Sequence, residues 1–118
     1  TMTHLFEIGG RPIPLVLIHL KPLTSKDRIV LMALIDQLFT NGTSSLVCSQ
    51  GYLAEKSGMK TPACHDSLQN LKKYGLVAWE KDVQVNRYSL KRCPEWVQEK
   101  YPDEWKPLAD LIQDARAL

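Results

Sequence analysis

A glycine at position 58, set between two closely spaced helix signals, constrains this chain more than any other feature. Ser49 is a good N-cap, and Leu53 and Ala54 give the following helix an inward face. Ser57-Gly58 ends that helix, because glycine takes the left-handed conformation of a C-terminal cap without a Cβ clash. Thr61 is the next N-cap, with Pro62 at the first helical position, where a missing N–H is harmless. So short a connection forces a sharp reversal. Gln50 and Ala54 share one helical face, and the small side chain of Ala54 lets the second helix cross closely.

The surrounding periodicities predict the rest. Thr24 caps a helix over Thr24–Phe39, with Asp27 in its first turn and Leu31, Leu34, Ile35 and Leu38 in its apolar stripe. Val30, Met32 and Ala33 widen that stripe, which predicts a central helix. Asn41-Gly42 stops it, and Leu46 and Val47 suggest a very short strand. Helices follow over Gln50–Ser57 and Pro62–Tyr74, the second with Cys64, Leu68 and Leu71 as its core stripe and Gly75 as its stop. Leu76–Glu80 and Val83–Leu90 read as two strands, with Lys81-Asp82 as the tight connection. Their alternation leaves the inward face undecided. Upstream, Leu5–Ile8 reads as a strand, Gly9-Gly10 as a turn, and Leu15–Leu20 as either a buried strand or a short helix. Downstream, Pro94 opens a helix with Trp96, Val97 and Tyr101, Pro102 breaks it, and a last helix runs over Asp103–Leu118.

If Cys64, Leu68 and Leu71 point inward, the opposite face of the Pro62–Tyr74 helix is free. That face and its N-terminal end offer Lys60, Thr61, Pro62, Ala63, His65, Asp66, Gln69, Lys72 and Lys73. The residue types suit a duplex. Gln69 can pair with adenine through its amide, and His65 and Thr61 can donate or accept. Lys60, Lys72 and Lys73 suit phosphates, as do the backbone amides at Thr61. Lys81, Gln84, Asn86 and Arg87, in or near the hairpin, can reach an adjoining groove or backbone. Charge is distributed accordingly. Seven basic against three acidic side chains between Lys60 and Arg92 give +4, whereas three basic against six acidic ones from Cys93 onward give −3.

With these elements in place, the chain resembles the winged helix-turn-helix domains of phage and plasmid replication proteins and related regulators. The residues that carry the likeness are Leu23-Thr24, Ser49-Gln50, Leu53-Ala54, Gly58, and the run Leu71-Lys72-Lys73-Tyr74-Gly75-Leu76-Val77. The resemblance covers roughly residues 12–90. It implies an α+β, mostly helical domain over residues 1–92, with a two-stranded wing at Leu76–Leu90. Residues 93–118, which have no counterpart in that group, form a helical C-terminal extension. It also implies sequence-specific binding of double-stranded DNA, in plasmid or phage replication initiation or partition. A transcriptional regulator of the same fold and a winged helix that holds a protein partner are the alternatives. Asp66 departs from the group, which often carries a basic residue there; an aspartate repels phosphate but can accept from a cytosine amino group.

Other chemistries find little footing. Cys48, Cys64 and Cys93 are an odd set without metal-ligand spacing, and Cys64-His65 has no spaced partner. Neither a disulfide framework, a metal site nor a catalytic cysteine is expected, and His4 and His19 read as structural or exposed. Gly9-Gly10 lacks the lysine and helix signal of a phosphate loop, and no paired carboxylates suggest acid–base catalysis. The expectation is a non-enzymatic cytoplasmic protein with no cofactor, small-molecule ligand or membrane partner. The longest apolar stretch of note, Leu15–Leu20, is far too short to span a bilayer, and no secretory signal pattern opens the chain. Thr1 ahead of Met2 reads as an appended residue. The amphipathic C-terminal helices suggest either a homodimer contact or a junction to a further domain.

Overall fold

A computed structural model describes the backbone of residues 4–8 and 11–118 and the side chains from residue 12 onward. The order of elements is β1 (His4–Ile8), β2 (Arg11–Pro14), α1 (Leu15–Ile18), α2 (Ser25–Asn41), β3 (Ser45–Cys48), α3 (Gln50–Lys56), α4 (Thr61–Lys73), β4 (Val77–Asp82), β5 (Val85–Leu90), α5 (Glu95–Lys100) and α6 (Trp105–Arg116). β1 and β2 pair antiparallel; the Gly9-Gly10 turn lies outside the described residues. Within Leu15–Leu20, residues Leu15–Ile18 form the short helix α1, with Val16 and Leu17 buried.

α2 is the central helix. Thr24 and Asp27 close a reciprocal capping box at its start, and it runs to Asn41, two residues beyond the expected Phe39, where Gly42 caps it at φ 64°. Asp27 is buried, and its carboxylate also accepts from the Asn70 amide of α4 at 3.4 Å. One side chain therefore caps α2 and ties α4 to it. α4 packs on both α2 and α3. The turn between α3 and α4 depends on Gly58, which sits at φ 68°. Nothing lies within 4 Å of where its Cβ would be, so the requirement is conformational rather than steric. The cap of α4 is Lys60, not Thr61, which belongs to the first helical turn. α3 likewise stops at Lys56, with Ser57 as its cap.

The short strand at Leu46 and Val47 is β3. It joins the hairpin to make a three-stranded antiparallel sheet in the order β3-β5-β4. Tyr88 and Leu90 are buried, which decides the inward face left open by the alternation. This register carries β4 through Lys81 and Asp82, pairs Asp82 with Val85, and moves the tight turn to Val83-Gln84. Lys81-Asp82 is thus strand rather than turn: the pairing that buries Tyr88 opposite Trp79 sets where the hairpin closes. Val83 takes φ 46° with 87% exposure, an unusual conformation for a β-branched residue.

The C-terminal helices fold back on this unit. A single hydrophobic cluster takes in side chains from Ile13 to Ala115, including Val97, Leu108, Leu111 and Ile112. Trp96 Nε1–H donates to the Tyr74 carbonyl at 2.8 Å, fixing α5 at the end of α4. Tyr101 Oη accepts from the Lys21 amide at 2.8 Å, and Glu104 meets His19 Nε2 at 3.1 Å. The apolar face that the sequence offers to a second subunit is thus covered by the chain's own core. Trp79, Trp96 and Trp105 are all half-buried against that core. Among the described residues no helix is long and apolar enough to cross a membrane.

Candidate nucleic-acid interface

α4 divides sharply between its two faces. Cys64, Leu68 and Leu71 are 0% exposed and seat the helix. Lys60, Thr61, Pro62, His65, Asp66, Gln69, Lys72 and Lys73 are all exposed, and Ala63 is half-buried beneath them. Of the polar and charged side chains assigned from sequence to this face, none is buried by the chain's tail. Lys60 makes no side-chain cap hydrogen bond and Pro62 has no N–H, so the orphan amides of the first turn are those of Thr61 and Ala63.

The two lysines at the other end are held rather than loose. Lys72 Nζ lies 4.9 Å from the centroid of the Trp79 ring on β4, and Lys73 Nζ lies 5.5 Å from that of Tyr74. Each contact steadies a cation by the ring's negative face while leaving the ammonium hydrated on its outer side. Both also complement the negative end of the helix dipole.

A connected set of polar side chains bridges α3 and α4. Gln50 Nε2 is 2.9 Å from His65 Nδ1, and His65 Nε2 is 3.5 Å from Gln69 Nε2. Gln50 was not among the site residues expected from sequence. Its signal was its place as the first residue of α3, because a short turn lays that end of α3 beside the first turn of α4. A Cβ on the adjacent Gly51 would indeed meet Thr61 Oγ1 at 3.9 Å.

The hairpin residues separate. Lys81 shares the sheet face of Trp79 and Tyr88, and Gln84 sits in the exposed turn. Asn86 is turned inward, its amide donating to the Tyr88 hydroxyl at 3.0 Å. Arg87 lies on the other face, opposite Glu80 and donating to Ser45 Oγ at 3.2 Å. The structure therefore brings Lys81 and Gln84 to the outer part of the hairpin and commits Asn86 and Arg87 to the sheet itself.

The cysteines are free thiols. Burial raises all three, and it pushes Cys64 up to about 11, with nearby Cys48 adding to the rise. A raised thiol is a poor nucleophile near neutrality. Alkylation by iodoacetamide at pH 8 is expected to be slow, with Cys64 the last to react; fast labelling of Cys64 in the folded protein would contradict its burial. Because folding favours the neutral thiol, this contribution to stability is complete below pH 9 and is lost as pH rises toward 11. Among the described residues no group of three or more His, Cys, Asp or Glu side chains could hold a metal ion. No protein-family model, curated protein or solved structure matches the chain.

Proposed function

We propose that this chain is a winged helix-turn-helix domain that binds double-stranded DNA. In this reading α4 enters a major groove and the β4–β5 hairpin rests as a wing on the flanking backbone. The observation that carries it is the division of α4: three apolar side chains fully buried, with lysines, a histidine and a glutamine exposed along the opposite face. Helix α4 has 13 residues and is about 20 Å long, enough to lie in a groove about 12 Å wide. The crossed pair α3–α4 on α2, and a strand between α2 and α3 that joins the hairpin in the order β3-β5-β4, support the same reading.

Direct readout belongs to the exposed, N-terminal and central part of α4, at Thr61, His65 and Gln69. Lys60, Lys72, Lys73 and Lys81 take phosphates. The setting we favour is plasmid or phage replication initiation or partition; footprints at an origin rather than at a promoter separate it from transcriptional control. A homodimer would have to use a surface other than the buried stripe of α6, and would favour half-sites about one helical turn apart.

The test is titration of random-sequence duplex at several salt concentrations. Affinity is expected to fall with salt at a logarithmic slope of about −0.9 for each phosphate engaged, roughly −3 to −4 for the lysines named. No binding to any duplex at low salt would defeat the reading in favour of a protein partner.

A further inference from the structure

The bridge from Gln50 to Gln69 has a consequence for base selection, and the inference drawn from it rests on the DNA-binding reading above. A free glutamine amide can turn by 180° and present either its oxygen or its nitrogen to a given position. Such a side chain accommodates adenine in one orientation. In the other it offers an N–H to guanine O6. It separates the two purines poorly unless something holds it.

His65 supplies the hold. A neutral imidazole has one N–H and one bare nitrogen, so the two groups flanking it must face it with opposite chemistry: one donates, the other accepts. Gln50 Nε2–H donates to Nδ1 across the shorter contact, 2.9 Å. The ring proton then sits on Nε2, which lies 3.5 Å from Gln69 Nε2; two N–H groups cannot bond each other, so the Gln69 amide must turn by 180° to pair with the ring. Only the Gln69 carbonyl oxygen can accept there. The amide N–H groups consequently project outward, toward a purine N7, while the second lone pair of Oε1 can accept from adenine N6. Guanine would set its O6 against that oxygen. The backing is firm on the inner side, because Gln50 is half-buried and starts a helix capped by Ser49, whose Oγ accepts from the Tyr52 amide. His65 and Gln69 are exposed on the face of α4.

We propose that Gln50 is a positioning residue for base recognition: through His65 it locks the Gln69 amide in one orientation, so that the interface selects adenine over guanine at the base pair Gln69 faces. Gln50 itself touches no base in this arrangement.

The experiment has two arms. Ring ¹⁵N shifts of His65 in the free wild-type protein, at a pH where the ring is neutral, are expected to show Nε2 protonated and Nδ1 bare. A ring protonated on Nδ1 overturns the proposal whether or not DNA binds. In the second arm, duplexes selected from a random pool are profiled against wild type, Gln69→Ala and Gln50→Met, the last keeping side-chain length without the hydrogen bond. Wild type is expected to prefer adenine at one position, and both variants to lose about fivefold or more of that preference there alone. Undiminished adenine preference in Gln50→Met overturns the proposal but leaves DNA binding standing. Failure of wild type to bind any duplex overturns the DNA-binding reading and this inference with it.

Discussion

Reversing the charge of Lys72 and Lys73 together, as Lys72→Glu with Lys73→Glu, is expected to weaken binding to every duplex by roughly thirtyfold or more near physiological salt, and to flatten the salt slope by about 2. Both lysines are exposed at the C-terminal end of α4, and the rings of Trp79 and Tyr74 keep their ammonium groups there. The loss should be the same for specific and random sequences, because phosphates carry no base information. Stability should fall by about 1–2 kcal/mol, from the loss of the two ring contacts and from acids placed at the negative end of the helix dipole. Gln69→Ala is the contrast: it should leave random-sequence affinity nearly unchanged. A charge-reversed protein that binds duplex as tightly as wild type would remove α4 from the interface.

Leu68→Ala is expected to cost about 3 kcal/mol, and to lower the unfolding midpoint by roughly 10 °C in a domain of this size. Leu68 is 0% exposed, midway along the stripe that seats α4 on α2 and α3. Truncation leaves a cavity between helices that are already anchored by the Thr24–Asp27 cap and the Asn70 contact, so the site cannot readily collapse to refill it. Natural domains hold about 5–15 kcal/mol in total, so the variant should fold at room temperature with a much reduced margin. Thermal or denaturant unfolding measures it. A cost below about 1 kcal/mol would mean that α4 is not packed through this stripe, and its outward face would lose its fixed orientation.

The helical pair was legible because its signals are local. Ser49, Gly58 and Pro62 act on their own backbone, and the stripe Cys64, Leu68 and Leu71 repeats with helical period. The hairpin was legible as two strands but not in register. A two-residue shift of the turn hardly changes the local sequence preferences, and only the burial of Tyr88 against Trp79 decides it. The same limit applied to Asn86 and Arg87. Which sheet face each occupies follows from that register, and neither residue type reveals it alone.

Composition and periodicity by themselves determined an α+β chain with a buried central helix, a glycine-hinged helix pair and an outward polar face, because each depends on residues a few positions apart. Only the tertiary structure decided that the strand before α3 completes the sheet, that the C-terminal helices cover their apolar stripe within the chain, and that Gln50 meets His65. Those are contacts between residues 15 to more than 80 positions apart, and distant parts of a chain meet only where their buried faces fit.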